Sequence, residues 1–202
     1  MIRVYTASYE LPAGEKKRKV EHELGLSLLQ QGLKELYDLL LNIEELQAEI
    51  KTGEHGKPSF KNHRDIHFNI SHTDGLVVCA FSDEPVGIDV ETIHEFKDSL
   101  PRRVLTKTEQ EFLFGYKDQM EKYRELFFRF WTLKESYLKW EGSGFQKEPQ
   151  SISFDLNPEE TSIRCLSSDK DMYFCQEIMD EKYVLAICSG KESEYSLINT
   201  NK

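Results

Sequence analysis

Asp89 and Glu91 stand two residues apart in the stretch Val86-Gly87-Ile88-Asp89-Val90-Glu91. On a strand, successive side chains alternate, so Val86, Ile88 and Val90 face one side, and Gly87, Asp89 and Glu91 the other. The two carboxylates then lie about 6.6 Å apart along the chain. Like charges repel there, and a hard cation such as Mg²⁺, which takes oxygen ligands, relieves that repulsion. An amphipathic strand with a wet acidic face has the same pattern. Trp131, Glu135 and Lys139 are spaced i, i+4, i+8 and share one helical stripe. Phe127, Phe128, Phe130, Tyr137 and Trp140 mark that helix as mostly buried, so the stripe reads as either a cleft wall or a surface Glu–Lys pair. Gly56-Lys57-Pro58 brackets a lysine in a turn, as a phosphate or adenine clamp requires. Phe68-Asn69-Ile70-Ser71-His72 ends in a hydroxyl and an imidazole at a sheet rim, where a purely structural strand end reads equally well. His63 and His67 have i, i+4 spacing, but on a strand they do not converge, and no zinc site is expected. There is no GxSxG, P-loop or Rossmann glycine run.

The elements that must position these residues alternate in type. Residues 2–8 read as a strand, and the basic run Lys16-Lys17-Arg18-Lys19 opens helical spacing over 18–43, with Gly25 and Gly32 arguing against one straight helix. Strands are expected at Gln47–Thr52, Ile66–Ile70, Leu76–Phe81 and Val86–Glu91. Residues 95–141 read as helical again. Thr106 and Glu109 form a capping-box pattern there, and a long aromatic helix over 119–141 stops at Gly142-Ser143-Gly144. Strands return at Ser151–Asp155, Ile163–Leu166, Met172–Ile178 and Tyr183–Ser189. Each half therefore reads helix first, then strands, and Leu76–Ser82 resembles Tyr183–Ser189. The expected fold is α+β, in two similar halves over 1–94 and 95–202.

The 202 residues are 39% hydrophobic and 31% charged, a mix that fits a globular chain. With 36 acids against 26 bases, the net charge of −10 disfavours sequence-independent nucleic-acid binding. No apolar run approaches the ~20 residues of a membrane span, and the start lacks the pattern of a secretory signal. Cys79, Cys165, Cys175 and Cys188 show no CxxC spacing, as expected of reduced cysteines in a cytoplasmic protein.

Four motifs occur in order: Gly56-Lys57-Pro58, Phe68-Asn69-Ile70-Ser71-His72, Gly87-Ile88-Asp89-Val90-Glu91, and Trp131-Thr132-Leu133-Lys134-Glu135-Ser136-Tyr137-Leu138-Lys139. Together the chain resembles the 4′-phosphopantetheinyl transferases, specifically their larger Sfp-like branch. That resemblance implies a pseudo-dimer of two α+β halves within one chain, hence a monomer, with the active site between them. It implies Mg²⁺-dependent transfer of the phosphopantetheine arm of coenzyme A to a serine of an acyl or peptidyl carrier protein. Adenosine 3′,5′-bisphosphate is released. By motif position, Asp89, Glu91 and Glu135 are the implied Mg²⁺ ligands. Lys57, Pro58, Ser71 and His72 line the coenzyme, and Lys139 contacts its diphosphate. Glu135 is the first candidate for general base and Glu109 the second, the latter competing with its capping role. Lys16, Lys17, Arg18 and Lys19 are four candidates for the coenzyme 3′-phosphate, and Arg102, Arg103 and Lys107 for carrier docking. Two other readings compete with transfer: another Mg²⁺-dependent phosphotransferase or hydrolase of nucleotide diphosphates, and a silent coenzyme A-binding module.

Overall fold

The computed structural model of the protein describes residues 1–142, 147–159, 163–167 and 172–200. The first half runs β1 (Ile2–Ser8), α1 (Lys17–Tyr37), α2 (Ile43–Glu49), β2 (Ile50–Thr52), β3 (Pro58–Phe60), β4 (His67–Thr73), β5 (Leu76–Ser82) and β6 (Val86–Thr92). The second runs α3 (Ser99–Val104), α4 (Lys107–Phe114), α5 (Met120–Glu141), β7 (Ser153–Leu156), β8 (Ile163–Ser167), β9 (Tyr173–Met179), β10 (Tyr183–Ser189) and β11 (Tyr195–Asn199). The architecture is mixed α+β.

The two look-alike strands, β5 and β10, are buried along their whole length. Each is an inner strand of its own sheet, in the orders β11-β1-β5-β4 and β6-β10-β9. Burial on both faces explains their unbroken apolar character. On β5, Val77, Cys79 and Phe81 pack under α1, while Leu76, Val78 and Ala80 face the second sheet. On β10, Val184, Ala186 and Cys188 pack under α5, while Tyr183, Leu185 and Ile187 face the first sheet. The inner faces thus share one core, with a long helix on each outer side. Strands cross the middle of the sequence: β6 pairs with β10, and β11 pairs in parallel with β1.

Several elements differ from expectation. Helix α1 is continuous through Gly25 and Gly32, because these glycines serve close packing rather than a break. A Cβ on Gly32 would lie 2.1 Å from the Phe81 ring. The helix ends instead at Asp38, in the left-handed conformation at φ 52°. The first half of the expected strand Gln47–Thr52 is helix: Asn42 and Glu45 form a reciprocal capping box that opens α2, and Ile50–Thr52 is extended. Helix α5 stops at Gly142, φ 77°, while Ser143 and Gly144 lie outside the described residues. Strands β3 and β11 had no expectation attached to them. β11 lacks its own apolar alternation, since all but its last residue are half-buried beside β1.

Candidate active site

β4 and β6 lie side by side as neighbouring sheet edges, without a backbone ladder between them. Polar side chains of β4 take the place of that ladder. Asn69 Oδ1 accepts from Ile88 N–H at 2.9 Å, Ser71 Oγ from Val90 N–H at 3.3 Å, and Thr73 Oγ1 from Thr92 N–H at 3.0 Å. Three successive same-face side chains therefore hold β6 in register. The opposite face of β6 meets α5 so closely that a Cβ on Gly87 would lie 2.0 Å from the Ser136 carbonyl oxygen. Only glycine permits that approach, and it brings the next residues on that face, Asp89 and Glu91, against the α5 stripe.

The alternation read along β6 is the one found, since Val86, Ile88 and Val90 lie in the inter-sheet core. Asp89, Glu91, Trp131, Glu135 and Lys139 line one cleft of about 290 Å³ together with Ile70, Ser71 and His72. Lys139 Nζ donates to Asp89 Oδ1 at 2.7 Å and to Ser71 Oγ at 2.8 Å. Trp131, on the same helical stripe, donates its indole N–H to Glu91 Oε1 at 3.1 Å. Burial and the neighbouring Asp89 charge push the Glu135 carboxyl up to about 7, with Lys139 opposing and Glu91 adding to the rise. Glu91 is raised for the same first two reasons, against the Trp131 hydrogen bond and Lys139.

The cleft continues at both ends. On one side, His55, Gly56, Lys57, Pro58, Asn69, Ile70, Leu138 and Gly142 enclose about 250 Å³, sharing Glu135 and Lys139 with the centre. The Lys57 ammonium donates to the carbonyls of Trp140 at 2.7 Å and Val86 at 3.3 Å, and burial pushes it down to about 8. It thereby ties the Gly-Lys-Pro turn to the end of α5. On the other side, a space of about 540 Å³ is lined by Lys17, Glu21, His72, Thr73, Asp74, Glu91, Thr92 and His94. Of the four basic N-terminal candidates, Lys17 is the one on this wall, where it pairs with Asp74 at 2.7 Å. Lys19 instead meets Glu15 and Glu23.

Among the groove residues to which the sequence reading gave no role of their own are Glu21, Asn69 and Thr73. Glu21 is 5% exposed, accepts from Tyr9 OH at 2.8 Å and lies 3.4 Å from His72 Nδ1. Asn69 and Thr73 were legible in principle, as polar residues alternating with Phe68, Ile70 and His72 on one face of a strand.

Glu109, the second candidate for general base, is placed away from the cleft. Its Oε2 accepts from Thr106 N–H and Lys134 Nζ, each at 2.8 Å, and its Oε1 from Phe154 N–H at 2.9 Å. Glu109 is 1% exposed and Lys134 fully buried, and Glu109 borders none of the three spaces. It is buried and already takes three hydrogen bonds within the structural core.

A family model for the 4′-phosphopantetheinyl transferase superfamily matches residues 85–188. The chain is also 32% identical over 184 residues to the 4′-phosphopantetheinyl transferase Sfp of Bacillus subtilis (strain 168), covering 87% of this chain and 80% of that protein. This chain belongs to the 4′-phosphopantetheinyl transferase superfamily. Identity to the transferase gsp of Aneurinibacillus migulanus is 35% over 150 residues, 74% of this chain and 62% of the relative. A mouse relative, L-aminoadipate-semialdehyde dehydrogenase-phosphopantetheinyl transferase, is 30% identical over 174 residues, 75% of this chain and 56% of its own. Within the superfamily match lie Asp89, Glu91, Glu135 and Lys139, whereas Lys57, Ser71 and His72 precede it.

The donor set suits a hard cation. Three carboxylates border one cleft, and Asp89 Oδ2 is buried without a hydrogen-bond partner. A buried anionic oxygen left unpaired is costly, and a cation removes that cost. Among the described residues no three His, Cys, Asp or Glu side chains are already drawn together as a ligand group. No described helix is long and apolar enough to cross a membrane.

Proposed function

We propose that this protein transfers the phosphopantetheine arm of coenzyme A to a serine hydroxyl of an acyl or peptidyl carrier protein. The observation that carries the reading is the single cleft that joins Asp89, Glu91, Glu135 and Lys139, with Asp89 Oδ2 buried and unpaired. In this reaction the serine oxygen attacks the β-phosphorus, and the bond to the bridging oxygen of the diphosphate breaks. Adenosine 3′,5′-bisphosphate leaves with the electron pair. Catalysis of such transfers rests on positioning and charge neutralisation.

Asp89, Glu91 and Glu135 would hold Mg²⁺, which would supply electrophilic activation of the diphosphate. Lys139, at the junction of two spaces, places a cation on the leaving side. Glu135, beside Asp89 and Lys139 in the same cleft, takes the serine proton, directly or through a water. Lys57 keeps one N–H beyond its two carbonyl bonds, and with Pro58 it forms the wall of one end of the groove. His72 and Lys17 form the other end, where the coenzyme's remaining phosphate is met. The halves 1–94 and 95–202 are read as a pseudo-dimer that exchanges strands β6 and β11, which favours a monomer with its cleft built within one chain, and the free cysteines fit a cytoplasmic setting.

The test is the intact mass of a promiscuous apo carrier protein incubated with this protein, coenzyme A and Mg²⁺. A gain of one phosphopantetheine, abolished by EDTA, is expected. An unchanged mass across a panel of carriers overturns the reading. Asp89→Ala is expected to reduce transfer about 100-fold or more, with an unchanged circular dichroism spectrum.

A further inference from the structure

A serine hydroxyl has one proton to donate and two lone pairs to accept with. In Ser71 all three are engaged. Its O–H points to Asp89 Oδ1 at 2.9 Å, while Oγ accepts from Lys139 Nζ at 2.8 Å and Val90 N–H at 3.3 Å. The residue is 4% exposed. The single hydroxyl proton thus serves Asp89. We propose that Ser71 is a positioning residue that orients Asp89 and Lys139 through its hydroxyl.

The geometry shows what that positioning achieves. Asp89 Oδ1 receives both Ser71 and Lys139, while Oδ2 is left buried without a partner. Two donors on one oxygen fix the rotation of the carboxylate and determine which oxygen stays available. The neighbouring position repeats the idea more loosely, with Thr73 Oγ1 3.5 Å from Glu91 Oε2. Asn69 holds β6 through Ile88 alone and has no bond to either carboxylate. An acceptor at position 71 would therefore suffice for strand register, and the hydroxyl proton is the added feature that orients Asp89. Partners behind a metal-binding carboxylate commonly change metal affinity by about 10-fold to 100-fold when removed.

This inference rests on the transfer reading, so its test reads metal and coenzyme binding separately from transfer. Mn²⁺ alone is titrated into the whole protein by electron paramagnetic resonance, and coenzyme A is titrated by calorimetry in EDTA. For Ser71→Ala, Mn²⁺ affinity is expected to fall about 10-fold or more and kcat with it, while coenzyme affinity in EDTA stays near wild type. Ser71→Thr, which keeps the donor and acceptors, is expected to restore most of the loss. Asn69→Ala controls for register: it is expected to lower Tm while retaining Mn²⁺ affinity. The proposal is overturned if Ser71→Ala weakens coenzyme binding in EDTA and leaves Mn²⁺ binding intact. It also falls if Asn69→Ala weakens Mn²⁺ as much as Ser71→Ala does, or if the wild type binds no Mn²⁺. A wild type that binds Mn²⁺ through Ser71 yet modifies no carrier would sink the transfer reading and leave the positioning role standing.

Discussion

Glu135 shows how a single side chain can be costly to the fold and useful to the chemistry. Burial and the facing Asp89 and Glu91 charges raise its proton affinity well above that of a free carboxylate, to about 7. The folded state therefore binds this proton more tightly than the unfolded chain does. Its contribution to stability is complete below the ordinary carboxylate pKa and is lost as pH rises through about 7. Glu91, shifted in the same direction, adds to the effect. In EDTA, Tm is expected to fall between pH 5 and pH 8, and Glu135→Gln is expected to flatten that slope. The same variant should be a few °C more stable at pH 8 while losing transfer about 100-fold. A wild-type Tm independent of pH over this range would contradict the assignment.

At the scale of elements, α5 is fixed from both sides. Its buried Lys134 reaches Glu109 of α4 and the carbonyls of Pro149 and Ile152, while Gly87 lets β6 lie against Ser136. Breaking a buried ion pair from one side typically costs about 3–5 kcal/mol. Glu109→Gln is thus expected to lower the denaturation midpoint clearly while keeping kcat of the folded fraction within about threefold. A collapse of kcat without loss of stability would return Glu109 to the chemistry. Gly87→Ala must push β6 off the helix by more than side-chain adjustment allows, at a cost of about 1–3 kcal/mol or more. Because Asp89 moves with that strand, transfer is expected to fall further than the folded fraction, as comparison of activity with circular dichroism will show.

At the scale of the whole molecule, a net charge of −10 must coexist with the recognition of a protein partner. Arg102 and Arg103 on α3 and Lys107 at the start of α4 are exposed, and Arg102 lies over the Phe114 ring. For an acidic carrier, these residues would supply local attraction against long-range repulsion. Arg102→Glu/Arg103→Glu is expected to raise the KM for the carrier about 10-fold, leaving the KM for coenzyme A unchanged in steady-state kinetics. An unaffected carrier KM would place docking elsewhere. Much of this molecule was written locally. The alternation along Val86–Glu91 and the Trp131–Glu135–Lys139 stripe depend only on the pleat of a strand and the pitch of a helix, so sequence alone determined which side chains share a face. The buried runs of β5 and β10, the helix stop at Gly142 and the order of the four motifs were legible for the same reason. Sequence could not say that Ser71 turns inward, that Glu109 is taken up by Lys134, or that Lys17 rather than its neighbours borders the groove. Nor could it show that β11 returns to β1. Those outcomes depend on groups far apart in the chain, whose hydrogen-bonding capacity is divided only when the two sheets and α5 come together.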